Sequence, residues 1–346
     1  MIFFGGKRRF YRKQIMKRKT IISISSLLLG ATLLAGCTGT NYKVVFGDYW
    51  YHDVDQPTLG QTLEKLTYKV SFQQDLGWNN YTVSYTNGVY VTTLSTDTDK
   101  YGREVYKYDT SLTIDVSYTY GGKTSDTFSD AITSTVYFEK AAKALYPLYS
   151  EKHVVSHSPY NGDLTDENVQ NLAYNYSVAV DYSTKKRTVT NNKLEDGNAN
   201  KSKTIDVEIA DKDLEKYSLI DNEALLLALR AVNPSSTVSE KLLVYAPFSE
   251  ETQKITASFA KKEIAENFTF KQKDGTEFKG NISYNPVTLS IDSANAGASQ
   301  TVWVANADAV KSNQFRNVIL RYEAPVSYNL GTLIYTLDTA EFTEKA

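Results

Sequence analysis

The sequence predicts a mainly β protein: a large curved antiparallel sheet, as a half-barrel or a sandwich, with one buried helix near residues 221–232. Three observations support this fold class. Apolar and polar residues alternate with a period of two along much of the chain, which is typical of strands with one face buried. Turn-forming residues separate many of these runs. A single segment rich in Ala and Leu interrupts the pattern.

The clearest strand signal lies between Leu112 and Tyr120, where apolar residues occupy the even positions and polar residues the odd ones. Gly121 and Gly122 follow and predict a tight turn, because glycine adopts positive φ at no steric cost. The alternation resumes over 132–138. This stretch therefore predicts two neighbouring antiparallel strands.

Asn87 and Gly88 separate two further alternating runs, 81–86 and 89–94. Asn-Gly between such runs is a strong hairpin signal, so a two-residue turn is predicted here. Residues 273–276 predict another turn. The remaining strand candidates are 42–50, 64–73, 103–110, 172–183, 186–191, 203–209, 241–246, 252–260, 266–272, 277–284, 287–292, 300–304, 316–323 and 330–337.

The helix is predicted from its capping residue and its composition. Asp221 suits the cap, 224–229 contains only Ala and Leu, and Pro234 ends the segment. Only Arg230 is charged after the first turn, so the helix is apolar nearly all round and has to be buried. A single buried helix among strands requires a concave sheet. Weaker helical patterns lie at 139–145, 165–172 and 305–313.

The charge distribution excludes some functions. Residues 1–36 carry eight of the 38 basic residues and no acidic one, which leaves 30 basic and 40 acidic residues for the rest of the chain. An acidic body repels phosphate, so nucleic-acid binding and adhesion to anionic lipid through a basic surface are not expected. We expect translation to begin at Met16; the alternative is a start at Met1 with a long cationic region ahead of the apolar stretch. The apolar stretch 21–34 is shorter than the roughly 20 residues that span a bilayer and fits a secretory signal.

This apolar stretch ends in Leu34-Ala35-Gly36-Cys37, which resembles the lipobox of bacterial lipoproteins. The resemblance implies cleavage before Cys37, lipidation of its sulfur, and a membrane anchor of acyl chains. Cys37 is the only cysteine, so no intramolecular disulfide is expected. The predicted organisation is a signal peptide (1–36), a short tether (37–41) and a β-rich extracytoplasmic body (42–346), with 156–163 as a candidate division into two sub-domains. The expected location is the cell envelope: the outer face of the cytoplasmic membrane, or the outer membrane where the host has one.

Candidate chemical motifs are incomplete. His153 and His157 lie four apart, but their context favours a strand or loop, where they are too distant to share a metal. Residues 97–102 begin like a calcium loop but lack its closing glutamate, which favours a polar hairpin tip. We therefore predict no catalytic residue, no metal and no cofactor. A pair of glycosidase carboxylates would leave no sequence signal, because the two would meet only in the folded protein.

An aromatic group is the strongest candidate for ligand binding. Tyr49, Trp50, Tyr51 and Trp78 offer flat faces that stack on sugars or other apolar surfaces. The alternative is that these rings, and Trp303 with them, are core residues. The expected function is non-catalytic binding of an apolar or amphipathic ligand or an envelope component, with lipid, envelope protein and glycan as candidate partners. The alternative is a surface module that binds protein or glycan through exposed Tyr and Trp.

A curved sheet holding a helix is similar in outline to the half-barrel of bacterial lipoprotein-carrier proteins. This resemblance depends on strand density and on one helix, so it concerns the architecture alone.

The anchor predicts a clear phenotype. Cys37→Ser removes the nucleophilic sulfur that takes the lipid, so metabolic labelling with a radioactive fatty acid should disappear and an unprocessed precursor should accumulate. Labelling of the wild-type protein in parallel is the control. Label that persists on the variant would exclude a lipid on Cys37.

Overall fold

The computed structural model describes residues 58–75, 81–140, 145–157, 174–191, 201–232, 237–246, 251–292, 299–306, 317–326 and 330–343. Most of these residues are in strands, which confirms the mainly β prediction. Among them, no helix is long and apolar enough to span a bilayer.

The first half of the described chain contains nine strands: β1 (Thr62–Gln74), β2 (Tyr81–Thr98), β3 (Glu104–Tyr120), β4 (Lys123–Thr124), β5 (Phe128–Glu139), β6 (Pro147–Ser156), β7 (Tyr174–Asp181), β8 (Lys186–Asn191) and β9 (Lys201–Asp206). The second half contains α1 (Asp211–Leu214), β10 (Ser218–Asp221), a 3₁₀ turn (Asn222–Ala224), α2 (Leu225–Arg230), β11 (Ser239–Ala246), β12 (Glu251–Phe259), β13 (Glu263–Gln272), β14 (Glu277–Ile291), β15 (Gln300–Ala305), β16 (Ile319–Val326) and β17 (Gly331–Phe342).

These strands form one large, barrel-like sheet. From one edge the antiparallel order is β9, β8, β7, β6, β5, β3, β2, β1, β17, β16, β15, β14, β12 and β11. β10 pairs with β11 in parallel, and β13 forms a hairpin with β14. The first and last described strands, β1 and β17, are therefore neighbours.

The inner face of the sheet has two chemically different walls. We call the face of β1, β2, β3, β5 and β6 the polar wall, because it buries Glu64, Thr92, Thr96, Thr110, Asp130, Ser134, Ser150 and Ser156 between apolar residues. We call the face of β11, β12, β14, β15 and β16 the apolar wall, which includes Leu242, Val244, Ile255, Ala257, Val287, Leu289, Val302, Val304 and Ala324. Two buried polar side chains of the latter strands, Asn285 and Gln300, bond to the Ala260 carbonyl and the Tyr322 hydroxyl.

The predicted buried helix is confirmed. Every residue of α2 is buried, and its leucines belong to the core cluster that also contains residues of both walls. The Asp221 carboxylate accepts a hydrogen bond of 2.8 Å from the backbone N–H of Glu223, so Asp221 caps the segment as predicted. The regular helix is shorter than predicted, because the 3₁₀ turn replaces its first residues.

The predicted hairpin turn at Asn87 and Gly88 is wrong. β2 continues through both residues, and its register with β3 shifts between Thr86 and Val89, which is a β-bulge. Asn87 has a φ of 53°, so its tolerance of positive φ serves the bulge. A Cβ on Gly88 would lie 2.6 Å from the Cβ of Val70, so only glycine allows β1 to approach this closely.

Other sequence expectations vary in outcome. The turns at 121–122 and 273–276 are confirmed, with positive φ at Gly122 and Gly275. The candidates 277–284 and 287–292 merge into β14. β10 was missed, because both of its faces are buried and it shows no alternation. The predicted strand at 42–50 and the predicted helix at 165–172 lie outside the described residues. So do most of the weaker helical patterns at 139–145 and 305–313. Their first residues, Glu139 and Ala305, are the last residues of β5 and β15.

Truncation of the helix leucines should destabilise the protein. Leu229 is 0% exposed and Leu226 is 9% exposed, so Leu229→Ala should lower the free energy of unfolding by about 2–5 kcal/mol and Leu226→Ala by slightly less. Val238→Ala, at a position that is 81% exposed, is the control and should cost less than about 0.5 kcal/mol. Chemical denaturation followed by circular dichroism measures all three. Equal stability of Leu229→Ala and Val238→Ala would contradict a buried helix.

Candidate functional site

Five buried tyrosines line the interior where the two walls meet. The tyrosine cluster consists of Tyr68 on β1, Tyr90 on β2, Tyr108 on β3, Tyr322 on β16 and Tyr335 on β17. Tyr68 lies opposite Tyr90 and Tyr322 lies opposite Tyr335 in register, so these pairs share a face. Ring centroids are 5.9 Å apart for Tyr68 and Tyr90, 5.5 Å for Tyr90 and Tyr335, and 5.1 Å for Tyr322 and Tyr335.

The cluster is electrically neutral, and the helix lies along it. Burial raises the pKa of all five hydroxyls above the ordinary tyrosine value. The charge of Glu223, at the start of the helical segment, raises the pKa of Tyr90 and Tyr322 further. The charge of Arg230, at its end, opposes the effect of burial on the pKa of Tyr68 and Tyr108. The hydroxyls therefore remain protonated and able to donate hydrogen bonds.

A buried ion pair anchors the C-terminal end of α2. The Arg230 guanidinium bonds both carboxylate oxygens of Glu64, with 2.7 Å between Nη2 and Oε2, and each side chain is only 3% exposed. Arg230 Nε also donates to the Asn317 carbonyl at 3.1 Å, and Asn317 Nδ2 donates to the Arg230 carbonyl at 2.8 Å. A register shift of β1 against β2 between Thr62 and Glu64 accompanies the inward position of Glu64.

A second network anchors the N-terminal end. Lys152 Nζ lies 2.7 Å from Glu223 Oε1, which also accepts a bond of 2.9 Å from Asn222 Nδ2. The Tyr182 hydroxyl donates to Asp221 Oδ2 at 2.5 Å. Burial raises the pKa of Asp221, although hydrogen bonds from Ser150 and Tyr182 act in the opposite direction. The helical segment is thus tied to the sheet at both ends.

Four buried polar atoms have no hydrogen-bond partner within the described part of the chain: Tyr335 Oη, Asn222 Oδ1, Asn317 Oδ1 and Gln253 Oε1. Tyr335 belongs to the tyrosine cluster, and the two asparagines lie at opposite ends of the helical segment. Gln253 is opposite Val244 of the apolar wall in register. An unmet buried polar group costs about 1–3 kcal/mol, so each atom marks a place where a bound molecule would gain a hydrogen bond.

The predicted site residues Cys37, Tyr49, Trp50, Tyr51 and Trp78 lie outside the described residues, so their roles stay predictions.

Trp303, the remaining tryptophan, offers no open ring face. Tyr284 stacks on it at 4.3 Å, and the Arg321 guanidinium lies 5.0 Å from its ring centroid. Trp303 and Arg321 are opposite each other in register, and Tyr284 lies on the strand that pairs with the other edge of β15. Trp303 is thus a partly buried packing residue at the margin of the core.

The two histidines of β6 and its end have different partners. His153 Nδ1 lies 2.7 Å from Ser177 Oγ, and His157 Nδ1 lies 2.9 Å from Asp130 Oδ1. Residues 97–102 form the tip between β2 and β3, where Asp99 Oδ1 accepts bonds of 2.9 Å from the backbone N–H groups of Tyr101 and Arg103. Among the described residues, no group of three or more His, Cys, Asp or Glu side chains is placed to hold a metal ion.

Sequence reasoning missed the tyrosine cluster and the partner of Arg230. The available signal was weak: the chain has 26 tyrosines, and those of the cluster fall at inward positions of runs already predicted as strands. The pairing of β1 with β17 determines which inward-facing tyrosines contact one another. These two strands are far apart in the sequence, so local patterns do not reveal the contact.

Comparison with known proteins finds only distant structural similarity. No protein-family model and no curated protein matches the sequence. Among solved structures, the chain is similar to a β-barrel-like protein of a domain of unknown function (DUF1849) from Brucella abortus. The two share 9% sequence identity with a TM-score of 0.46, and the match covers 83% of this chain and 100% of that one. A likeness at this level says nothing about function.

The buried ion pair predicts non-additive mutations. Arg230→Met leaves the Glu64 carboxylate buried without its partner and should cost about 3–5 kcal/mol of unfolding free energy. Adding Glu64→Leu removes that isolated charge, so the double variant should be more stable than Arg230→Met alone. Chemical denaturation measures both.

The exposed pair Lys69–Asp338, 2.6 Å apart, is the control: Lys69→Met should cost no more than about 1 kcal/mol. If the losses of unfolding free energy for the Glu64 and Arg230 changes are simply additive in the double variant, the result would contradict a coupled buried pair.

Proposed function

We propose that the protein is a membrane-anchored extracytoplasmic lipoprotein whose barrel-like body binds an apolar or amphipathic ligand without catalysing a reaction. The observation that carries the binding function is the set of buried polar atoms without partners among the described residues, which includes two asparagines at the ends of the helical segment and the Tyr335 hydroxyl in the tyrosine cluster. Native proteins pair nearly all such atoms, so these unpaired atoms support a bound molecule.

The anchor is supported by the sequence. Leu34-Ala35-Gly36-Cys37 directly follows a short apolar segment and resembles a lipobox, and Cys37 is the only thiol. Two or three acyl chains, each burying methylenes at about 0.8 kcal/mol apiece, would hold the protein stably at a membrane. An interior binding site on a tethered body suits a ligand that belongs to the envelope.

Binding without catalysis is supported by how the interior charges are used. Arg230 is held by Glu64, and Lys152 by Glu223, in the networks that anchor the helical segment. A general acid or base needs an ionisable group that is free to exchange a proton with a substrate. The charged groups of Arg230 and Lys152 are instead held in ion pairs. The hydroxyls of the tyrosine cluster are neutral hydrogen-bond donors, because burial raises their pKa.

The binding function is tested by extraction. The purified, folded protein should release one chemical class of apolar or amphipathic molecule into organic solvent, identified by mass spectrometry, at close to one mole per mole. Tyr335→Phe keeps the ring and removes the unpartnered hydroxyl, so it should retain several-fold less ligand. Tyr101→Phe, at a tyrosine that is 57% exposed, is the matched control and should retain as much as wild type. A folded protein that releases no such molecule would contradict the proposal.

A second candidate function, surface binding of glycan or protein, is supported by aromatic rings on the outer face. Lys107, Tyr137, Tyr149 and Asp181 lie opposite one another across β3, β5, β6 and β7, and we call them the outer tyrosine row. The rings of Tyr137 and Tyr149 are 6.0 Å apart, and the exposed Tyr101 places its hydroxyl 3.2 Å from Asp181. Half-exposed rings beside paired charges can stack on the apolar face of a sugar.

This alternative is tested by a glycan array. Wild type should bind a restricted set of oligosaccharides and Tyr101→Ala should lose that binding, whereas the exposed aliphatic variant Val238→Ala should keep it. Binding that survives Tyr101→Ala would assign any glycan site elsewhere.

A further inference from the structure

We propose that Lys152 and Asn222 form an intramolecular amide bond, with Glu223 as the base that promotes it. The bond joins Nζ of Lys152 on β6 to the side-chain carbonyl carbon of Asn222 on the 3₁₀ turn and releases ammonia. The reaction occurs once within each chain, so it belongs to the maturation of the folded body and is independent of any ligand.

One carboxylate oxygen contacts both reacting groups. Glu223 Oε1 accepts a bond of 2.7 Å from Lys152 Nζ and one of 2.9 Å from Asn222 Nδ2. Because both nitrogens contact the same atom, the amine and the amide are neighbours, and the amine reaches the amide carbon by side-chain rotation alone. Asp221 fixes the turn, since its carboxylate accepts a bond of 2.8 Å from the backbone N–H of Glu223. The reactants are thus brought together by the fold before any bond changes.

The three side chains lie largely away from water. The side chains of Lys152 and Glu223 are 14% and 6% exposed, and Asn222 is 7% exposed. A buried site disfavours charge, so it favours passage of a proton from the ammonium to the carboxylate, which leaves two neutral groups. A neutral, desolvated amine is the nucleophilic form of lysine. At the exposed Lys69–Asp338 pair, where Lys69 is 76% exposed, water removes this effect.

Glu223 begins the reaction as a carboxylate. Burial acts to raise the pKa of its carboxyl, but the charge of Lys152 and the hydrogen bonds from Lys152 and Asn222 lower that pKa below its ordinary value. The carboxylate therefore accepts a proton from the Lys152 ammonium, with which it is already in contact.

The remaining steps conserve atoms and charge. The neutral Lys152 amine attacks the side-chain carbonyl carbon of Asn222, and a C–N bond forms. A proton from the attacking nitrogen passes to Nδ2, the bond between Nδ2 and the carbon breaks, and ammonia leaves. The ammonia takes the proton held by Glu223, which restores the carboxylate. The Asn222 oxygen, which has no hydrogen-bond partner in the described residues, can accept the O–H of protonated Glu223 while negative charge develops on it.

The bond gives the body a covalent link that its sequence cannot make with sulfur. Cys37 is the only cysteine, so no intramolecular disulfide is available. The amide closes a loop that contains β7, β8, β9, α1 and β10, and it fastens the N-terminal end of the helical segment to β6 of the polar wall. A link across a loop of this length restricts the unfolded chain in the way that a disulfide does.

Peptide mapping of the wild-type protein tests the bond. Trypsin does not cleave after a lysine whose amine is acylated, so complete digestion of the denatured protein should release a branched peptide in which 144–185 is joined to 217–230. Its mass should be that of the two linear peptides less one ammonia, and fragmentation should locate the link at Lys152 and Asn222. Release of only linear peptides that end at Lys152 or begin after Lys216 would overturn the assignment.

Glu223→Gln tests the base. It keeps both reacting groups and removes the carboxylate, so the yield of branched peptide should fall by about tenfold or more in the folded variant, as judged by circular dichroism. Asp338→Asn makes the same acid-to-amide change at the exposed pair and should leave the yield at the wild-type level. A wild-type yield in Glu223→Gln would overturn Glu223 as the base.

Lys152→Arg serves as a second variant if Glu223→Gln does not fold. Arginine keeps the positive charge beside Glu223, but its guanidinium stays protonated and does not attack an amide. The branched peptide should therefore be absent, and 217–230 should be recovered as a linear peptide. A cross-link to 217–230 that persists in this variant would place the bond on another residue and overturn the role of Lys152.

Discussion

The structure depends on one constraint: a helix with no polar face is enclosed by a sheet, and its charged end residue has to be neutralised inside. Arg230 ends α2 in the core, where an unpaired guanidinium would cost several kcal/mol. Glu64 therefore turns inward at a register shift of β1, and Asn317 closes the helix end with a φ of 55°. The register shift and the positive φ thus occur at Glu64 and Asn317, the two residues that bond to the Arg230 side chain.

The same constraint explains why the interior has two walls. The helical segment has polar groups only at its ends, in Asp221, Asn222, Glu223 and Arg230, and these face Ser150, Lys152 and Glu64 on the polar wall. The leucines between them pack within the core shared with the apolar wall. The tyrosine cluster lies where the walls meet, since a tyrosine ring packs as an apolar surface and its hydroxyl bonds as a polar one. An interior of this kind is amphipathic, which is the physical basis of the proposed interior binding.

The sequence predicted what depends on local pattern. The alternation over 112–120 indicates a strand with one buried face, and the Ala and Leu run of 224–229 indicates a helix buried on all sides. The sequence therefore predicted the second half of β3 and most of α2. Asn87 and Gly88 misled because positive φ suits a bulge as well as a turn, and only the flanking strands β1 and β3 decide between them. The partner of Arg230 is 166 residues away along the chain, and no local pattern encodes such a pairing.

Hydrogen exchange of the backbone amides of α2 tests the central claim, that the helix is enclosed by the sheet and unfolds only together with it. If the helix and its anchors form one cooperative unit with the sheet, the amides of Leu229 and Arg230 should exchange only through global unfolding. Their free energy of exchange should then equal that of core amides such as Val302 on β15 and fall with denaturant at the same slope. Exchange of the α2 amides through a smaller, denaturant-insensitive opening, while Val302 stays protected, would show that the helix leaves the sheet independently and would contradict this account.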